Sequence, residues 1–361
     1  MTREATAARA PARRNGRGAG RRAGRRARNR VGPVVGVLVV ALVASCAVAV
    51  ALGTADISPA DVAATAWSHL FGTEPTLSAT RDAIVWELRA PRVLTAAAVG
   101  GGLAVCGAVM QSLTRNPLAD PYLLGLSSGA STGAVVVLVL GVAVALPLAA
   151  FAGAFLALVG TLALARASGA LSSTGVILGG LAVSAVASAL TSLVIFWSAT
   201  GDSYREILGW LLGRVAGADW TDAAVAAAAV LVCGLPLLVS ARLLDGFALG
   251  DLSAAALGIP VERLRFALFA CTALLTGALV AVSGAIGFVG LILPHAVRAL
   301  VGTRHRAVLP VAFLAGAIFL VWADTAARTL FAPRELPVGI LTALIGGPVF
   351  AIILMRRRRA A

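Results

Sequence analysis

Three groups of residues in this chain have the types and spacing that chemistry requires, and each points to a different chemistry. Gly125-Leu126-Ser127-Ser128-Gly129 fits G-x-S-x-G, the turn that presents a nucleophilic serine in hydrolases. Arg89 and Arg92 stand three apart around Pro91, a spacing that can aim two guanidinium groups at the carboxylates of a partner; anchoring to lipid phosphate is the competing use. Asp251 follows Gly250 in the polar stretch 249–258, LGDLSAAALG, where an acid after a glycine starts a short helix that breaks at Gly258. The serine motif lacks its chemical setting, because an elbow needs a strand before it and a base beside it. Here it opens an apolar run, and His69, His295 and His305 fall in a surface segment or at helix ends. Gly125, Gly129 and Gly133, four apart, read instead as a helix-packing stripe.

Metal and cofactor chemistry find no support. The four cysteines, Cys46, Cys106, Cys233 and Cys271, lie singly in apolar runs and read as packing residues. No cluster of His, Cys, Asp and Glu has ligand spacing. The chain contains no lysine, so it cannot form a Walker A phosphate loop and cannot itself be a P-loop ATPase. The sequence therefore assigns no catalytic residue, no metal site and no cofactor.

The elements that must carry these residues are membrane helices. Hydrophobic residues make up 59% of the chain, charged residues 13%, and the mean hydropathy is +0.94. An all-α polytopic membrane protein of about ten transmembrane helices follows, with spans expected near 31–53, 93–113, 123–143, 145–165, 174–197, 221–240, 266–286, 288–301, 308–328 and 336–355. The string VASC ending at Cys46 resembles a lipoprotein signal, but hydrophobicity continues to Leu52 and more spans follow, which favours a retained helix. Residues 54–88 form a polar outer segment in which PADVAATAWSHLFG has the spacing of a surface helix. The segment 198–220 holds a run too short to cross, and 241–265 is the longest internal polar loop.

The net charge of +14 does not indicate nucleic acid, because its location is wrong for that. Eleven of the 30 basic residues lie in the first 30 positions and four more are Arg356 to Arg359, both beside spans. Residues 1–30, rich in Arg, Ala and Gly, are expected to be a disordered tail against anionic headgroups, with 357–361 as a second basic tail. Placing both termini in the cytoplasm puts 23 arginines inside and seven outside. Spans two to four and six to eight are nearly free of ionisable residues, which disfavours a proton- or sodium-coupled carrier or a channel and implies energy supplied from elsewhere. Asp324 and Arg328, four apart near the outer end of span nine, are expected to pair with each other.

In order along the chain, Arg89-Ala-Pro-Arg92, Gln111 with N-P-L-A-D-P (116–121), LLGLSSGA (123–130), LGDLSAAALG (249–258), GAIGFVGLILPHAVR (284–298) and ELPVGILTALIGGPVF (335–350) resemble the FecCD-type permease family. These are the membrane subunits of ABC importers for iron–siderophores, haem and vitamin B12. The resemblance covers about 33–356. It implies that Arg89, Arg92 and Arg328 receive acidic residues of an extracytoplasmic substrate-binding protein. It implies that Gly250, Asp251, Leu252, Ala255, Leu257 and Gly258 dock into a separate ABC ATPase subunit. The family usually has glutamate where Asp251 stands, so a shorter docking contact is expected. Ser172, Ser173 and Thr174 match an inner gate, and an N-cap role for them is compatible with it. A homodimer with two ATPase subunits follows, with iron–siderophore as the expected cargo and haem or cobalamin as alternatives.

Overall fold

A computed structural model describes residues 16–53, 55–74, 77–141, 144–167, 172–198, 201–248, 250–258 and 260–358. Among these there is no strand. Seven helices are long and apolar enough to cross a membrane: α1 (Gly16–Ala51, apolar from Val31), α3 (Ala79–Leu113), α5 (Leu146–Ala167), α6 (Ser173–Ser198), α8 (Trp220–Val239), α11 (Val261–Ser283) and α13 (His305–Thr329). Three shorter apolar helices, α4 (Leu126–Leu140), α12 (Val289–Val301) and α14 (Val338–Arg358), complete ten. Between the spans lie α2 (Pro59–Phe71) at one end of the bundle, with α7 (Gly201–Leu211), and α9 (Ala241–Ala248) and α10 (Asp251–Ala256) at the other.

Two expected boundaries move. The first helix is drawn out to Gly16, ahead of the apolar run that opens at Val31. The expectations for 1–15 and 359–361 fall outside the described residues. The second span starts at Ala79, well before residue 93, because a π-type turn over Ile84–Arg89 lets the helix continue outward through a charged stretch. The outer surface helix forms where expected. Ser58 caps it and Asp61 reciprocates, and those hydrogen bonds, first to the Ser58 backbone, hold the Asp61 carboxyl below its usual range.

With lipid outside, the helices gain little from simple apolar burial against one another and pack by close backbone approach. The core is centred on α3, whose Leu103, Ala104, Cys106 and Met110 are sealed from solvent by α11, α12 and α13. Glycine makes the approach possible. A Cβ on Gly107 would stand 1.9 Å from the Gly290 carbonyl oxygen, and one on Gly100 would stand 2.3 Å from that of Gly316. The stripe read from the sequence works at two of its three positions. Gly129 faces Gly153 and Gly133 faces Ala149, whereas Gly125 sits in the left-handed region, φ 78°, where the turn Pro121–Leu124 meets α4. Gly107→Leu must push α12 off α3, at a cost of about 3 kcal/mol or more. Thermal unfolding of the purified variant in detergent should show a clearly lowered midpoint; a midpoint equal to the parent's would mean the crossing is looser than drawn.

Candidate functional site

The ten apolar helices bring functional candidates to the two ends of the bundle. At the end bearing α2, a cavity of about 570 Å³ is walled by Glu87, Arg89, Arg92, Asp219, Arg328 and Glu335, among others. The three arginines are together, as the sequence expected, but they do not project side by side. Arg89 and Arg92 are only 8% and 9% exposed. The Arg89 Nη1 donates to the carbonyls of Val50 and Ala51, both at 2.9 Å. Arg328 donates through Nη1 to Leu52 O at 3.0 Å and through Nη2 to Ala49 O. The last carbonyls of α1 have no helical N–H partners and carry its partial negative charge, so these two cations cap the helix.

Arg92 turns the other way. Its Nε and Nη2 grip Asp324 at 2.9 Å each, and Nη1 reaches Glu335 at 2.8 Å. The expected Asp324–Arg328 pair is therefore corrected. Asp324, 2% exposed, takes the guanidinium that approaches it in the two-pronged geometry, and Arg328 is drawn to the carbonyls of α1. Arg89 and Arg328 remain cations held by neutral groups, whereas Arg92 is matched by carboxylates. Reading the sequence missed Asp324 and Glu335 as partners of Arg92. An acid inside a span must find a cation, which was the available signal, but it did not say which one.

At the opposite end α9 and α10 lie under α3 and α11. Asp245 accepts from the backbone N–H of His305 at 3.0 Å and meets its Nδ1 at 2.7 Å, tying α9 to the start of α13. Ser112 donates to Leu244 O at 3.2 Å. Gly250, φ 97°, turns the chain into α10, and Gly258, φ 78°, turns it out. The Asp251 carboxylate, 41% exposed, is paired from within the chain: Arg265 Nη2 lies 2.5 Å from it and Arg115 Nη2 3.9 Å. Within the single chain Asp251 therefore anchors α10, with two cations of the bundle within its reach. Ala254 is buried, Ala255 is exposed, and Leu252 and Leu257 are 90% and 66% exposed, giving α10 an apolar outer tip.

The Ser172-Ser173-Thr174 group opens α6. Ser172 Oγ accepts from Gly175 N–H at 3.0 Å, a helix cap, and Ser173 Oγ donates to Leu113 O at 3.0 Å, pinning α6 to the end of α3; Thr174 is exposed. The serine motif begins a helix after a 3₁₀ turn, and Ser128 Oγ accepts from Ser188 Oγ at 3.3 Å, so the elbow geometry is absent. Among the described residues no group of three or more His, Cys, Asp or Glu could hold a metal ion.

Comparison with known proteins bears directly on this arrangement. Residues 39–356 match the model of the FecCD transport family. The chain is 43% identical over 280 residues to the cobalamin import system permease protein of Halobacterium salinarum, covering 77% of this chain and 75% of that one. It is 41% identical over 290 residues to the hemin transport system permease protein of Yersinia pestis, covering 78% and 86%. An uncharacterized ABC transporter permease of Bacillus subtilis is 42% identical over 283 residues, covering 76% and 80%. A solved structure titled as an inward-facing conformation of a putative metal-chelate type ABC transporter superposes with a TM-score of 0.79 at 32% identity, covering 90% of this chain and 99% of that one. With ten apolar helices and a family match across nearly all of them, the chain belongs to the FecCD transport family of multi-pass ABC importer permeases.

Proposed function

We propose that this chain, as a homodimer in the cell membrane with both termini in the cytoplasm, carries an iron(III)–siderophore chelate inward. A separate ABC ATPase drives it and an extracytoplasmic binding protein feeds it. The observation that supports this reading best is the contrast between the two ends of one bundle. One end has a cavity with two cations, Arg89 and Arg328, whose hydrogen bonds among the described residues go to backbone carbonyls. The other has a short helix, tightly anchored through Asp251, that offers Leu252 to a partner. The first suits an acidic protein surface, the second an apolar cleft. Catalysis in the covalent sense is not part of this role. Alternating access would follow from the partner's closure pulling on α10 and, through Asp245–His305 and Asp251–Arg265, on α13 and α11. The exposed apolar side chains of α6, among them Leu178, Val186 and Phe196, suit a second copy, with Ser172, Ser173 and Thr174 at the inner mouth of a shared path.

The names of two relatives favour a second cargo reading, cobalamin or haem. Uptake into proteoliposomes holding permease, ATPase and binding protein decides between them: a ferric trihydroxamate is expected to enter with ATP, and entry of cobalamin or haem alone would replace the iron–siderophore assignment. Docking is tested apart from cargo. Arg89→Gln with Arg328→Gln should weaken binding-protein association at least tenfold and leave ATPase assembly intact, as read by surface plasmon resonance and copurification. An unchanged affinity would remove these arginines from the docking surface.

A further inference from the structure

The N-P-L-A-D-P turn carries, just before its last proline, an acid that none of the roles above uses. Asp120 Oδ1 accepts the Tyr122 N–H at 2.8 Å, which starts the 3₁₀ turn Pro121–Leu124. That turn is held on three sides. Tyr122 Oη donates to Ile286 O at 3.0 Å and accepts from Ile286 N–H at 3.2 Å; Thr161 donates to Leu124 O at 2.9 Å; and a Cβ on Gly180 would stand 1.9 Å from Leu123 O. The carboxylate is thus fixed in place, and its second oxygen, Oδ2, has no partner among the described residues.

Asp120 borders a cavity of about 460 Å³ between this turn, α6 and the elbow before α12. Leu181, 65% exposed, is part of its wall, so the cavity opens on the free apolar face of α6. On the elbow side Phe288 holds φ 68°, a conformation that a bulky side chain adopts only under constraint from its surroundings. Asp120 is the one charged residue among the walls, and the rest is mostly apolar with Ser184 as a small polar exception. An acceptor-only group in such a setting favours a ligand edge that brings N–H donors or positive charge, and it disfavours a carboxylate or phosphate.

We propose that this cavity is a cargo-contact site in which Asp120 Oδ2 receives an ammonium or amide N–H of the transported molecule. The proposal rests on the reading that cargo moves along α6 between two copies. It adds a selectivity rule: an N–H-bearing or cationic cargo is preferred over an anionic or donor-free one of equal size.

The capping role and the contact role can be separated by substitution. Asparagine keeps the oxygen that caps Tyr122 and removes the charge, whereas alanine removes both. Proteoliposomes with ATPase and binding protein are given a ferric trihydroxamate bearing a free ammonium group, and the same chelate with a neutral, donor-free methoxy group in its place. Wild type should favour the ammonium form. Asp120→Asn should raise KM for that form about tenfold with Vmax, thermal midpoint and uptake of the neutral form within twofold, while Asp120→Ala also lowers the midpoint. An Asp120→Asn protein with the wild-type preference would overturn the proposal. Wild-type liposomes that take up neither chelate would overturn the iron–siderophore cargo instead. The same comparison made with cobalamin, whose amides are neutral donors, would then overturn the Asp120 contact if KM did not change.

Discussion

Leu252→Asp is expected to abolish ATP-driven uptake, by about 30-fold or more, without unfolding the permease. Leu252 is 90% exposed, so in the isolated chain its side chain packs against nothing that the substitution would disturb. Exposed surface changes of this kind move stability by about 0.5 kcal/mol or less. In the proposed complex the same residue enters an apolar cleft of the ATPase. Replacing such an anchor by a charge costs about 2 kcal/mol or more, roughly 30-fold in association. The aspartate stays on the partner-facing side because the other side of α10 is fixed by Ala254 and by Asp251 on Arg265. The measurement is nucleotide-dependent uptake beside copurification of the ATPase and the thermal midpoint of the permease alone. Full uptake with a normal midpoint would take α10 out of the coupling path. Asp251→Ala should behave differently, lowering coupling by loosening α10 rather than by spoiling its outer tip.

The second large effect belongs to the opposite end, and it is one of stability. Asp324→Ala leaves the Arg92 guanidinium with Glu335, which is half exposed, as its remaining carboxylate; Arg92 itself is 9% exposed. Removing one partner of a buried pair typically costs about 3–5 kcal/mol, because the other charge is stranded without its solvation. The thermal midpoint in detergent should fall sharply. The pair as a whole is another matter: Arg92→Met with Asp324→Leu removes both charges, and a large part of the loss should return. A single Asp324→Ala variant as stable as the parent would mean that water or another group solvates Arg92. Charge reversal at Arg92 tests the same joint, since it would set a third carboxylate beside Asp324 and Glu335, so its effect on docking would be inseparable from its effect on the fold.

Much of the architecture was legible because lipid imposes one rule on every span: about twenty apolar residues with all backbone groups satisfied within the helix. That rule is local, so the ten apolar helices and the surface helix at Pro59–Phe71 could be read from short windows. Its edges failed where neighbours override composition. The π-type turn at Ile84–Arg89 carries α3 into charged residues. The candidate residues were legible as a set and illegible in their assignments. Arg89, Arg92 and Arg328 do line one cavity, and 250–258 does form a presented helix. Spacing along the chain could not tell that Arg89 and Arg92, three apart, would point at different helices.

By itself, then, the sequence determined the solvent this protein lives in, the apolar helices that meet it and the family to which its motifs belong. Only the tertiary structure decided which charges neutralise one another and which stay available. Arg92 is matched by Asp324 from 232 positions away, Asp251 pairs with Arg265, and Leu252 stands outside. The physical reason is one of range. Helix formation and membrane insertion depend on neighbours within a few turns, whereas the energy of a buried charge depends on whichever acceptor the packing brings within about 3 Å.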